Sequence, residues 1–165
     1  ILTTLEPGLY TAILDQAEPV NGIGIVEVFD WDGGDSKLIN LSTRARVGLN
    51  DNVTIAGFII EGPDNRDVLI RGRGPSLIPH LPAGAITLTN PRLRLFNQQG
   101  VNFLSNDDWV SADNAAEISS SGLAPESDKE AAILINLAPG PYTVFLESSD
   151  GGTGIGIVEI FDQTE

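Results

Sequence analysis

The chain has no cysteine and no methionine, a single histidine, two tryptophans and two tyrosines among its 165 residues. Without cysteine there are no disulfides and no thiolate metal sites, so burial and hydrogen bonding must hold the fold. The lone His80 sits in Pro79-His80-Leu81-Pro82 with no nucleophile or triad partner in pattern around it, which leaves little for acid–base chemistry. Basic residues are also scarce: nine Lys and Arg stand against 23 Asp and Glu, for a net charge of −14. Such a surface repels nucleic acid and anionic lipid and attracts divalent cations. No apolar run approaches the ~18 residues a membrane-spanning helix needs, which argues against membrane insertion. Ile1 in place of an initiator Met reads as a processed or excised start. The absence of cysteine suits a bacterial surface protein that works outside the cell without a redox partner.

What is present is a scatter of 18 glycines and ten prolines between short apolar runs, the pattern of many strands and turns. The strand candidates are Gly8–Asp15, Gly22–Asp30, Lys37–Val47, Val53–Glu61, Asp67–Gly72, Pro91–Phe96, Val101–Ser105, Ala131–Leu137, Pro141–Ser148 and Gly154–Asp162. They predict an all-β, antiparallel sandwich of jelly-roll-like form. Asn97-Gln98-Gln99-Gly100 and Asp150-Gly151-Gly152-Thr153 carry hairpin turn chemistry. Only Ala112–Ser119 reads as a helix, with Gly122 just beyond its end.

The chain also repeats its own beginning at its end. Residues Ile1–Asp30 align without a gap on Ile133–Asp162, a constant offset (133 − 1 = 132), with sixteen identities in the thirty positions. A fixed period of this kind points to a tandem or polymeric architecture. Residues 1–33 then form a β-hairpin duplicating the C-terminal one, and residues 34–165 form one sandwich unit. The extra hairpin has three possible places: on its own chain, at the end of a preceding repeat, or donated to a neighbouring subunit by strand addition. Tyr10, Ile23, Ile25, Val26, Tyr142, Ile155 and Ile157 are the candidate interface residues. In Gly22-Ile23-Gly24-Ile25 and its twin the strand glycines predict a close approach, by the facing sheet or by a neighbouring chain.

Alternation places Arg71 and Arg73, and likewise Arg92 and Arg94, on polar strand faces. Pairing of those strands would build one ladder of arginines facing carboxylates such as Glu27 or Glu159, read as a salt network or as a docking patch. Two acidic loops are candidate calcium sites: Asp30, Asp32 and Asp35 around a glycine bend, and Asn106, Asp107 and Asp108 before Trp109. The first lacks the twelfth-position glutamate of an EF-hand, where Leu41 stands; an acidic linker and an Asx turn are the plainer readings. Gly72-Arg73-Gly74-Pro75-Ser76 resembles a phosphate cradle but lacks its Lys-Ser/Thr ending and a following helix. Asn40-Leu41-Ser42 and Asn52-Val53-Thr54 match the glycosylation triplet.

Ser36–Arg44, Asn52–Ile60 and Val68–Leu77 together resemble a bacterial extracellular tandem repeat of about this period. Leu93–Phe96, Ser105–Trp109 and Leu137-Ala138-Pro139-Gly140-Pro141-Tyr142-Thr143 continue it. This second half is similar to pre-peptidase C-terminal domains, jelly-roll-like sandwiches appended to secreted enzymes. The resemblance implies secretion and a non-catalytic adhesive, structural or calcium-binding role, with no catalytic residues to carry over. The expectation is therefore a non-enzymatic extracellular or cell-surface structural protein, joined head to tail to itself or to neighbouring repeats. The alternative is an accessory module of a secreted protein that binds calcium, polysaccharide or a surface. Calcium is the one expected cofactor. Trp31, Trp109, Tyr10 and Tyr142 are the aromatic residues that could stack on a sugar.

Overall fold

Period-two alternation carries through from sequence to strand. Along Asn40–Val47, for instance, Leu41, Thr43, Ala45 and Val47 are the more buried set, while Ser42, Arg44 and Arg46 face solvent. In the computed structural model, which describes residues 1–15, 17, 22–31 and 37–164, the chain divides into two units, Ile1–Leu38 and Ile39–Glu165. The boundary expected after residue 33 lies among residues 32–36, outside the described residues.

The second unit holds eight strands: β1 (Asn40–Val47), β2 (Thr54–Ile60), β3 (Arg66–Arg73), β4 (Pro91–Phe96), β5 (Asn102–Asn106), β6 (Ala131–Leu137), β7 (Gly140–Ser148) and β8 (Gly154–Asp162). They form two four-stranded antiparallel sheets, β1-β8-β3-β6 and β2-β7-β4-β5. The pairs β1:β8, β2:β7, β3:β6 and β4:β5 describe one long hairpin rolled up on itself, which is the jelly roll. Between the sheets lie Val47, Val68, Ile70, Leu88, Leu93, Leu95, Ile133, Val144, Leu146, Val158 and Ile160. A second cluster of Leu69, Ile118 and Ala132 lies on the outer side of β3 and β6, under Trp109 and Leu123. Ile118 comes from a short helix, α1 (Ala115–Ser120), after which Gly122 takes φ +73°. Gly156 lets the sheets close: a Cβ there would stand 2.9 Å from Leu146 and 3.1 Å from Leu88. The close approach therefore comes from the facing sheet.

Three expectations need correction. The helix starts three residues later than predicted, because Trp109–Ser111 forms a separate 3₁₀ turn in which Ala112 N–H bonds to Trp109 O at 3.2 Å. Asn97–Gly100 does turn a hairpin, with Asn97 Oδ1 accepting from Gln99 and Val101 N–H at 3.1 and 3.0 Å. Asp150–Thr153, by contrast, is an arch from β7 in one sheet to β8 in the other. For the same reason the C-terminal segment 133–162 is not a hairpin: β6, β7 and β8 find all their ladder partners in β1 to β4 and none in each other.

This explains the first unit. Its described residues form no strand, although Gly8–Asp15 and Gly22–Asp30 have strand sequences. As copies of β7 and β8 they have no reason to pair with one another, and counterparts of β1 to β4 are not among residues 1–38. A strand without a ladder leaves its backbone to water.

Candidate functional site

The duplicated segment keeps an apolar residue at each of six positions that seat β6–β8 in the sandwich, four of them identical. The inward residues Ile133, Leu137, Val144, Leu146, Val158 and Ile160 have as counterparts Ile1, Leu5, Ala12, Leu14, Val26 and Val28. The former are buried, whereas Leu5, Leu14, Val26 and Val28 are each more than half exposed at 53–59%. Two local contacts nevertheless exist in both copies. Tyr142 donates its hydroxyl to Ala138 O at 2.9 Å, and Tyr10 donates to Glu6 O at 2.6 Å, a corner that ties the Pro-Gly bend to the following segment. A Cβ on Gly24 would strike the Leu14 side chain, as one on Gly156 would strike Leu146. Residues 1–30 thus hold the bend and the cross-sheet contact of β6–β8 without the strands that pair with them.

The copy also retains two carboxylates, Asp15 for Glu147 and Glu27 for Glu159. In the sandwich these two anchor arginine clamps. Glu159 lies opposite Arg71 across β8 and β3 and receives its Nε at 3.0 Å and Nη2 at 2.8 Å. Arg73 Nη1 stands 3.7 Å from the same oxygen. Arg71 also donates to Leu123 O at 2.8 Å and covers the Phe161 ring at 4.8 Å. On the other sheet Glu147 lies opposite Arg92 and takes its Nη2 at 2.8 Å, while Arg94 binds it through Nε at 2.9 Å and through Nη2. Arg94 lies over Phe96 and Phe145. The four arginines therefore form two clamps on opposite faces, not one ladder, because β3 and β4 belong to different sheets. Alternation fixes which face a side chain takes, not which strand lies beside it.

Burial alone would raise the Glu147 carboxyl, but hydrogen bonds and charge from Arg94 and Arg92 outweigh it and hold it below the usual 4.5. Asp150 is held lower still, at about 2 against 3.8, by the Thr89 hydroxyl, the Ser148 hydroxyl and the Gly152 N–H. Both folded values are depressed, so both groups stabilise above their unfolded pKa values and lose that contribution as pH falls through the folded ones. Urea midpoints should therefore drop between pH 5 and pH 2, and Asp150→Asn should drop less across that window than the parent. Equal slopes would show that Asp150 does not contribute.

The glycine-rich loop does cradle an anion, but an internal one. Glu130 is fully buried, and its Oε1 accepts from Gly74 N–H at 2.8 Å, Ser76 N–H at 3.0 Å and Ser76 Oγ at 2.7 Å. Its other oxygen takes Ser127 N–H at 3.4 Å, and Arg73 Nε reaches Ser76 Oγ at 2.9 Å. Neither Glu130 nor Glu147 stood out in the sequence; for Glu147 the available signal was its alternation with the apolar Val144 and Leu146, which puts it on the outer face beside Phe145.

The candidate calcium residues fare unevenly. Asp32 and Asp35 lie outside the described residues, and Asp30 is exposed. Asn106 and Asp107 pin strands: Asn106 Oδ1 accepts from Ala132 N–H at 2.9 Å, and Asp107 accepts from Ser149 Oγ at 2.7 Å. Asp108 starts the 3₁₀ turn, its carbonyl accepting from Ser111 Oγ at 2.7 Å. No group of three or more His, Asp or Glu able to hold a metal exists among the described residues. Of the candidate interface residues, Tyr142 stacks on Phe58 at 5.5 Å, and Ile155 and Ile157 line the outer face of β8 opposite Arg46 and Arg44. Tyr10, Ile23, Ile25 and Val26 are exposed. The counterparts of Ile23 and Ile25 face outward, so the inward seats missed by the sequence reading are Ile1, Leu5, Ala12, Leu14 and Val28. His80 is exposed at the end of the 3₁₀ segment Pro75–His80.

No protein-family model matches the chain, and no curated protein aligns with it. Among solved structures the chain is similar to the pre-peptidase C-terminal domain of collagenase from Bacillus anthracis, at 10% identity and a TM-score of 0.46. The match covers 74% of this chain and 89% of that one.

Proposed function

We propose that the chain is a structural repeat of an extracellular or cell-surface fibre, in which residues 1–30 supply the last three strands of a neighbouring sandwich. The observation that carries this is the retention in residues 1–30 of the core seats, the tyrosine corner and both clamp carboxylates of β6–β8, with the apolar seats left exposed. Exposed apolar strand sequence is a liability unless something covers it. Because β7 and β8 are inner strands of complete sheets, these strands seat in the next unit only in exchange for its own β6–β8; such an exchange joins copies head to tail, and the contact propagates instead of closing. A non-catalytic role is consistent with the carboxylates: Glu147 and Glu159 are committed to arginines and Glu130 to backbone amides.

The second reading, an accessory module that binds polysaccharide, draws on one feature. A hollow of about 410 Å³ is lined by Phe96, Phe145, Pro141, Thr143 and the amide side chains Asn97 and Gln98.

Negative-stain electron microscopy of the chain with and without residues 1–38, in calcium and in chelator, separates these readings. Filaments that vanish on truncation are the expected result, and loss in chelator would add a metal at the joints. Monodisperse particles in every lane would sink self-assembly and leave the binding module.

A further inference from the structure

We infer that residues 1–30 are a second, permuted set of strands β6–β8 for the chain's own β1–β5 scaffold, so that one scaffold can be completed from either end of the chain. This shares with the proposed function the reading of residues 1–30 as sandwich strands, but it does not require a fibre.

The end of β8 and the start of β1 are adjacent: Asp162 N–H bonds to Ile39 O at 3.0 Å, and Phe161 stands opposite Asn40. Under the constant offset Asp30 and Phe29 take those two places. The chain length between Asp30 and Ile39 suffices to join antiparallel neighbours, and closing a connection of that length costs little more than closing a shorter one. Seated this way, Glu27 reaches the Arg71–Arg73 clamp, and Asp15, one methylene shorter than Glu147, reaches Arg92 and Arg94. Leu14 and Val26 replace Leu146 and Val158 without change of residue type, and Gly24 keeps the gap that Leu146 fills beside Gly156.

The two sets are not equal. Ala12 stands for Val144 and Val28 for Ile160, so the N-terminal set fills the core less well and the C-terminal set holds the scaffold. When residues 1–30 are seated, residues 131–162 are released with the full apolar face of β6–β8, and that is the better set to hand to another scaffold.

The test uses the whole chain, which has no cysteine of its own. Arg44 stands opposite Ile157 on the outer face of β1 and β8, so Ile25 takes that place in the permuted frame. Arg44→Cys with Ile25→Cys reports the permuted frame under mild oxidation, and Arg44→Cys with Ile157→Cys reports the frame described above. Leu146→Asp, at a fully buried seat, expels the C-terminal set. With it, the first pair should crosslink within one molecule at least tenfold more than in the parent, and unfolding should stay cooperative. Adding Leu14→Asp should abolish both. Should Leu146→Asp give insoluble protein, Gly156→Val applies the same bias, and the same crosslink decides. Loss of cooperative unfolding without the crosslink overturns the inference. Crosslinks found only between molecules overturn it too, while leaving the fibre standing. An intramolecular crosslink in a chain that never forms filaments sinks the fibre alone.

Discussion

Glu130→Ala is expected to lower the unfolding free energy of the sandwich by about 3 kcal/mol, a large part of the ~5–15 kcal/mol typical of a domain. The carboxylate is fully buried and satisfies Gly74 N–H, Ser76 N–H and Ser76 Oγ at once. Alanine would leave these three donors, and the more distant Ser127 N–H, without a partner where water does not replace it, and each buried unpaired group costs about 1–3 kcal/mol. The loss is less than the sum because the segment Pro75–His80 can relax toward solvent; Ile78, Pro79 and His80 are already exposed. Glu130→Gln keeps one acceptor oxygen and should cost about half as much, on the rule that charged acceptors are roughly twice as strong as neutral ones. Urea denaturation checks the magnitude, and hydrogen exchange at the Gly74 and Ser76 amides checks the mechanism. A midpoint unchanged by Glu130→Ala would mean that the loop is held by Leu77 and Arg73 instead.

That cradle also shows where sequence reading stops. All eight strands of the sandwich lie where alternation and turn residues placed them, Pro91–Phe96 to the residue. Period two is a local property, and each strand carries its own copy of it. The three donors to Glu130 Oε1 are 54 and 56 residues away, and nothing in the spelling of either segment refers to the other. Sheet membership is non-local in the same sense. Arg71 and Arg92 sit in similar alternating contexts, yet the roll of the chain sends β3 and β4 to opposite sheets. The duplication was legible because identity needs no geometry. Its consequence was not: Asp150-Gly151-Gly152 has the composition of a hairpin turn, and only the topology reveals an arch between sheets. Once β6–β8 are known to pair solely with β1–β4, the absence of strands among the described residues of 1–38 follows from the same fact that makes them a complement.

The two clamps allow a comparison in which burial alone decides the outcome. Glu159→Ala should destabilise by about 3 kcal/mol, because it strands Arg71, only 12% exposed, and leaves Arg73, 14% exposed, with only the solvent-exposed Glu126 at 3.3 Å as a carboxylate partner. Arg71 keeps Leu123 O and the Phe161 ring, and Arg73 keeps Ser76, so the charges stay where they are instead of swinging out to water. Glu147→Ala should cost about 1 kcal/mol, since Arg92 and Arg94 are 40% and 31% exposed and can hydrate in place. Raising salt to 1 M shortens the Debye length to about 3 Å and should erode the Glu147 contribution much more than that of Glu159. A double-mutant cycle of Arg71→Met with Glu159→Leu should recover the part of the single-mutant loss that Arg71 carries, because removing that pair removes its desolvation penalty along with the attraction, while Arg73 keeps Ser76 and Glu126. Equal costs for the two glutamates would show that the outer face over β3 and β8 is wetter in solution than the cover of Leu123 and Trp109 implies. In that case the Arg71–Arg73 clamp could not discriminate a seated Glu27 from an open groove.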